Sequence, residues 1–487
     1  MDLLSILQTN EPGRLLISYK GSEDARKAWE AKLLLFFEKG ATSWKRQGRQ
    51  FPFPLNVRFP IKFTLFDQSL ILGATNPVGR KWNEIAFLHL FLMNPSSIDD
   101  YRNSVRNEVS EWFSLLNSVE GSQWLIIYDS SKARDRKNRG AVLERIKNDF
   151  PKFMDRIFEI YEGSLQTGHA LELLVQSKLL NAVDSFVSYQ EVQLSAKKEH
   201  FKDEDFDFIA YCTMQMNLSW LYHSLGILEH VLAKFDELDA LLSLIVSHFS
   251  STGNIPKWLA SQANSIGHGC PLLMASIALK SPHEEMTLVE LRTLFLAHQI
   301  SFSLRIYYER IKHGSEPAQP NIKQLKTDFA AIILRYANHC LSSVYENLAA
   351  LKLSYEPMEL RCWTLAFCIE VSQFVGSLTE SSLIENASHF ACMLSVQKCH
   401  AITALSRMSR PEMSTYLSEW FESGVRRMVN SVDGSQAVSE LRCLLTDETQ
   451  IAHYMQKYHE GSIALLKHCD WKRQSMFMGW QLANFLL

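Results

Sequence analysis

Residues 85–129, IAFLHLFLMNPSSIDDYRNSVRNEVSEWFSLLNSVEGSQWLIIYD, decide the fold class of this chain. Ile85 to Met93 is apolar almost throughout, the pattern of a strand covered on both faces. Pro95, Ser96 and Ser97 stop that strand and cap a helix whose first turn carries Asp99 and Asp100. Ile98, Tyr101, Val105, Val109, Trp112, Phe113 and Leu116 then recur as one apolar stripe at helical spacing. Trp124 to Tyr128 (WLIIY) is a second buried strand. After a polar loop, Val142, Leu143, Ile146 and Phe150 mark a short helix, and Ile157 to Tyr161 a third strand. Strand, helix, strand with short links is the right-handed βαβ pattern of an open, mostly parallel sheet. Upstream, Val57, Phe59, Ile61, Phe63 and Leu65 alternate with Arg58, Pro60, Lys62 and Thr64, which predicts a half-buried strand that Pro60 places at a sheet edge.

Downstream the signal becomes purely helical. Seven of the 14 prolines fall in the first 151 residues, and residues 152–255 and 412–487 contain none, which suits long helices. The clearest helix is 228–249. There Leu228, Val231, Leu232, Phe235, Leu238, Leu241, Leu242, Ile245, Val246 and Phe249 form a continuous stripe, and Glu229, Lys234, Asp236, Glu237 and Asp239 supply a wet side. Similar blocks run over roughly 165–195, 206–225, 285–312, 322–352, 357–376, 382–408, 412–430 and 450 to the end. Breaks fall at Ser250 to His283, an excursion anchored by Trp258, and at His313 to Asn321. No fixed repeat length is present. The fold expected is therefore mainly α: an α/β domain over 1–162, then an irregular α-solenoid of antiparallel helix pairs over 163–487, with a loop excursion at about 250–283.

Composition narrows the function. With 50 Lys+Arg against 53 Asp+Glu, the net charge of −3 gives neither nucleic acid nor an acidic membrane a dominant attraction, so no nucleic-acid partner is expected. The nine cysteines, from Cys212 to Cys469, form no CxxC pair and read as reduced thiols. The N-terminus lacks the basic and apolar regions of a secretory signal. The longest nearly apolar stretch, Ile85 to Met93, is far short of the roughly 20 residues that span a bilayer, so any membrane role is expected to be peripheral.

Catalytic signatures are missing: no phosphate-cradling G-x-x-x-x-G-K-[ST], no G-x-G-x-x-G, no H-E-x-x-H and no G-x-S-x-G. No cofactor or metal is expected. His283-Glu284-Glu285 reads as a solvated helix start because Thr287 stands where a second zinc histidine is required. Cys392, Cys399 and His400 read as core thiols and a helix histidine, and His89 as a strand histidine with a satisfied nitrogen. Asp129 ends a strand at the sheet edge where ligands bind in open α/β folds. The loop expected after it, Ser130 to Gly140, holds Lys132, Arg134, Arg136, Lys137 and Arg139 against Asp135. It is a candidate contact for acidic lipid head groups or an acidic partner surface. On the helical side, Asp236, Glu237 and Asp239 are the candidate subunit contact.

Five strings carry a family resemblance. They are Trp44-Lys45-Arg46-Gln47-Gly48-Arg49, Gln123 to Asp129 with its basic loop, Glu144-Arg145-Ile146-Lys147-Asn148-Asp149-Phe150, Phe235 to Leu242 (FDELDALL) and Leu288 to Leu296 (LVELRTLFL). In this order they resemble the N-terminal half of subunit 10 of the transport protein particle (TRAPP) complex, a large subunit of its TRAPP II form. The resemblance implies a non-catalytic scaffold on the cytoplasmic face of the Golgi apparatus and in the cytosol, in a complex that tethers vesicles and activates Rab-family GTPases. Its implied partners are small core subunits and a second large subunit, with a Rab GTPase and the Golgi membrane met peripherally or indirectly. Family members run to more than twice this length, with β-sandwich domains after the helices, so the chain is expected to be a fragment, a short isoform or a truncated gene product. Two alternatives stand beside this: a nucleotide-binding α/β enzyme or switch with accessory helices, and a peripheral membrane adaptor acting through Lys132 to Arg139.

Overall fold

The structure is a computed structural model, and it describes residues 13–45, 54–71, 80–119, 121–133, 136–161, 165–263, 281–313, 322–352, 357–379, 389–407 and 447–486, with Glu440 and Cys443. Within them the chain forms two compact units, one of residues 13–198 and 217–230, the other of 199–216 and 231–486.

The first unit is built on a five-stranded, wholly parallel sheet of β1 (Leu15–Gly21), β4 (Ile61–Leu65), β5 (Ala86–Met93), β6 (Trp124–Asp129) and β7 (Ile157–Ile160), in the order β4-β1-β5-β6-β7. The order reverses between β1 and β5, as in doubly wound folds. Every residue of β5 and β6 is buried, which explains their continuous apolar sequence. Helix α1 (Glu23–Lys39) packs on β5 and β4. Ser97 caps the next helical stretch by accepting from Asp100 N at 3.2 Å. That stretch passes through a π turn at Tyr101–Val105 into α2 (Arg106–Asn117). Val109, Trp112 and Leu116 of α2 join Val142 and Ile146 of α3 (Arg136–Asp149) in one core with Phe91, Met93, Trp124, Ile126 and Tyr128 of the sheet.

Two expectations are corrected here, and one strand is added. The strand expected over Val57 to Leu65 is two strands, because Arg58 to Pro60 turns away: Arg58 N donates to Leu225 O at 2.9 Å, and Pro60 has no N–H for a ladder. Its first part, β3 (Leu55–Val57), pairs antiparallel with β2 (Thr42–Trp44), whereas β4 is the edge of the main sheet. The basic loop expected over Ser130 to Gly140 is a 3-10 turn at Ser130–Lys132 and then the first turn of α3 from Arg136. Finally, β1 lies between β4 and β5, a central strand that the alternation pattern does not show.

Helix α4 (Leu165–Glu199) completes this unit. Its Phe186 meets Phe87 edge-on at 5.6 Å, and its Asp184 accepts from Trp44 Nε1 at 3.1 Å. The end of α5 (Phe208–Ser224) contributes as well. There Asn217 accepts from Trp82 N and donates to Arg80 O, both at 3.3 Å.

The second unit is helical. It holds most of α6 (Leu228–Thr252), then α7 (Lys257–Ala263), α8 (Leu288–His313), α9 (Ile322–Leu351), α10 (Pro357–Thr379), α11 (His389–Ser406), α12 (Glu448–His468) and α13 (Lys472–Leu486). From α8 onward each of these helices packs on the next, the sequential contact of an α-solenoid. The stripe of α6 is buried as expected, with Phe235 stacked on His298 at 4.8 Å. The expected block from 450 divides at Asp470, whose φ is +59°. The expected helix at 412–430 lies outside the described residues. Helix α10 has the length and apolarity to cross a membrane, but 72% of that window is buried inside the protein, as in a core helix.

Candidate functional site

At the carboxyl ends of β1 and β5, where ligands bind in doubly wound folds, the two strands stay paired to Gly21 and Leu92. Gly21 has φ of +102°, and a Cβ there would lie 2.1 Å from Leu92 O. The next residue extends the ladder, since Ser22 N donates to Leu92 O at 2.7 Å. Ser22 also caps α1, and Glu23 and Asp24 occupy the first helical turn. Arg26 pairs with Glu23 and Glu30 and lies 5.1 Å from the centre of the Tyr19 ring. Its hydrogen bond holds the Glu23 carboxyl below the usual range. A phosphate here would meet carboxylates instead of a glycine-rich cradle of amides, and helix N-termini with acidic first turns repel anions.

Asp129, at the end of β6, is buried and committed locally. Its Oδ1 accepts from Ser131 N at 3.0 Å and from Ser131 Oγ at 2.6 Å, which shapes the 3-10 turn. The basic run is dispersed. Lys132 is exposed and pairs with Asp24 at 3.2 Å. Arg139, on α3, places its guanidinium 4.4 Å from the centre of the Tyr161 ring. Arg136 and Lys137 open α3, and Arg134 lies outside the described residues. Three cations at a helix start oppose the helix dipole, which is why the sequence there reads as loop.

The acidic side of α6 is not uniformly wet, and for Asp239 the expectation is corrected. Asp239 is 6% exposed and binds the wholly buried Arg292 of α8. Arg292 Nη1 also donates to Asp239 O, and its Nη2 to Ser243 Oγ, each at 2.8 Å. His339 Nε2 of α9 meets the other carboxylate oxygen at 2.8 Å. Burial pushes the Asp239 carboxyl up, but His339 and Arg292 outweigh it and hold it below the usual range. The same hydrogen bond raises His339. Asp236 accepts from Gln299 Nε2 at 2.8 Å, and burial raises its carboxyl. Glu237 is exposed, paired with Lys234 at 2.9 Å and accepting from Gln215 at 3.1 Å. Asp236 and Asp239 line a groove of about 1020 Å³ with Leu244, Arg335, His339 and Met393. The sequence signal missed here is Arg292, a charge inside the apolar string LVELRTLFL.

The other titratable candidates are structural. His89 Nδ1 and Ser18 Oγ are 2.6 Å apart between β5 and β1, and burial lowers the imidazole to about 4. Cys392 and Cys399 are buried, with Cys399 Sγ donating to Tyr458 O at 3.4 Å. His283 to Glu285 is an exposed turn ahead of α8, whose capping box is Thr287 with Glu290. Among the described residues no group of three or more His, Cys, Asp or Glu is placed to hold a metal ion.

Residues 10–201 match the family model described as trafficking protein particle complex subunit 10-like, N-terminal. The chain resembles the subunit 10 family. It is 23% identical to subunit 10 of the trafficking protein particle complex of Drosophila melanogaster over 413 residues, 79% of this chain and 33% of that protein. To the subunit 10 of Homo sapiens it is 22% identical over 365 residues, 71% of this chain and 27% of that protein. The chain thus spans a third or less of the length of these subunit 10 relatives. The subunit 10 N-terminal match reaches from the approach to β1 to just past the end of α4.

Proposed function

We propose that this chain is a non-catalytic scaffold subunit of a TRAPP II-like assembly that tethers vesicles at the cytoplasmic face of the Golgi apparatus and supports Rab nucleotide exchange. The observation that carries the reading is its similarity to subunit 10 proteins over 71–79% of the chain. The acidic first turn of α1 after β1, with Glu23 and Asp24 where a glycine-rich phosphate cradle would lie, supports a role without nucleotide chemistry. Small core subunits and a second large subunit are the proposed partners. Lys132 and Arg139 on the α/β unit, and Glu237 on α6, are the proposed contact positions at which charge reversal is informative. The test is affinity purification of the tagged endogenous chain from detergent-free lysate, followed by size exclusion and mass spectrometry. Co-elution at several hundred kDa with small TRAPP subunits is expected. Elution near 55.9 kDa without them refutes the reading. Calorimetric titration with GTP, ATP and Mg²⁺ covers the enzymatic alternative, which returns if micromolar binding is found and is lost in Asp129→Ala.

A further inference from the structure

Of the large apolar side chains exposed at the surface, most stand singly, but Met476, Phe477, Trp480 and Leu486 all lie on α13, at 75%, 43%, 61% and 59% exposure. The inner side of this helix, Ser475, Met478 and Leu482, is buried. Met476, Phe477 and Trp480 fall on the opposite side by helical spacing, and the Phe477 and Trp480 rings stack at 6.0 Å. Such clustering on a surface marks an interaction site, whereas scattered apolar residues need no explanation.

Charge indicates what meets this face. From Trp471 to Leu487 there is no Asp or Glu, while Lys472 and Arg473 are exposed at the start of the helix, one turn before Met476 and Phe477. The nearest acid in sequence, Asp470, pairs with Lys472 at 3.1 Å, but both are about 80% exposed (82% and 79%), a weak, solvent-screened contact. Lys467 and His468 close the preceding helix, so residues 467–473 hold three fixed cations against one acid. Exposed Trp, Phe and Met beside Lys and Arg, without acids, is the composition of a helix that lies in a membrane interface, apolar side chains among the acyl chains and cations on anionic head groups.

We propose that the outer face of α13, centred on Met476, Phe477 and Trp480 with Lys472 and Arg473, binds the surface of an anionic lipid bilayer. This surface is distinct from the basic run at Lys132 to Arg139, and the proposal does not depend on assembly into a TRAPP complex.

The experiment is sedimentation of the full chain with extruded vesicles of phosphatidylcholine alone or with about a third phosphatidylserine. Binding to the anionic vesicles is expected, weakened by salt. The triple variant Met476→Ser, Phe477→Ser, Trp480→Ser should lower it at least tenfold, because interfacial binding scales with buried apolar area. Lys472→Glu with Arg473→Glu should lower it to a similar degree, each cation near such a surface being worth about fivefold. All five side chains are exposed, so unchanged circular dichroism is expected. Lys152→Glu with Lys198→Glu, two exposed cations elsewhere on the chain, should leave binding intact. Three results overturn the proposal: no binding to anionic vesicles, binding that survives the α13 substitutions, or a self-associated chain that the triple variant makes monomeric without any vesicle binding. The last would make the face a protein interface.

Discussion

Replacing Asp239 by Ala removes the carboxylate that neutralises a buried guanidinium. The Arg292 side chain has no exposure and that of Asp239 has 9%, so the substitution leaves a buried guanidinium without its counter-charge. Breaking a buried pair from one side costs about 3–5 kcal/mol. Arg292 keeps two acceptors, the carbonyl of residue 239 and Ser243 Oγ, which places the expected loss at the lower end, about 3 kcal/mol. In urea, at a slope of about 3 kcal/mol/M, the midpoint for the helical unit should fall by about 1 M. The companion is Asp239→Leu combined with Arg292→Met, which removes both charges and keeps apolar volume. It should recover at least about 2 kcal/mol relative to the sum of the two single changes. The assay is urea denaturation followed by far-ultraviolet circular dichroism on the wild type, Asp239→Ala, the single changes Asp239→Leu and Arg292→Met, and the double variant. A loss below about 1 kcal/mol for Asp239→Ala, or strict additivity in the double variant, would refute the view that this pair locks α6 to α8.

Five further outcomes are expected. His89 is held neutral in the fold at a pKa of about 4, against an ordinary value of 6.5. The unfolded chain therefore binds the extra proton between those values, and stability should fall by about 3 kcal/mol as pH drops from 6.5 to 4, a slope that His89→Gln flattens in pH-dependent urea midpoints. His339 has the opposite sign: its raised pKa means the folded protein holds the proton more tightly, so its contribution is full below 6.5 and is lost as pH rises through the folded value. Histidine NMR titration, with Asp239→Asn removing the shift, checks this. Gly21→Ala should destabilise the α/β unit by more than about 2 kcal/mol, because φ is +102° and the new Cβ strikes Leu92 O. Gly140→Ala, inside α3 with nothing within 4 Å, should instead raise the thermal midpoint, by about 0.5–1 kcal/mol of stability. Among the described cysteines, Cys443 and then Cys469 should react first with a thiol reagent under native conditions, the other six being buried.

The elements legible in the sequence were those whose environment is uniform. β5 and β6 are buried along their whole length, and α6 buries one continuous stripe, so periodicity alone described them. β1 escaped because LLISYKG mixes polar residues into a buried strand. Ser18 is tolerated there only because His89, 71 residues away, supplies its partner. Asp239 was misplaced for the same reason: its spacing belongs to the polar side of α6, and the charge that draws it inward is 53 residues downstream. The Ser130 to Gly140 segment read as loop because its cations contradict helix-start preferences, and α3 forms regardless through Val142 and Ile146. Long-range pairing of polar groups leaves no local periodicity.

The return of residues 217–230 to the first unit sets an order of events at the ribosome. The amide of Arg58 waits for the carbonyl of Leu225, and Trp82 and Arg80 wait for Asn217. The sheet can assemble as soon as β7 is made, yet its rim cannot close until some 70 more residues have been synthesised, through the last residue of the returning segment, His230. By then Glu199–Met216 has been synthesised as well, ahead of every other described part of the second unit. At about 5–20 residues per second, the interval between a formed sheet and a finished unit is roughly 4 to 14 seconds. In the first part of that time, until α4 is made, Phe87 lacks Phe186 and the β2–β3 ribbon lacks Asp184, so the nascent α/β unit exposes apolar surface that only continued translation covers.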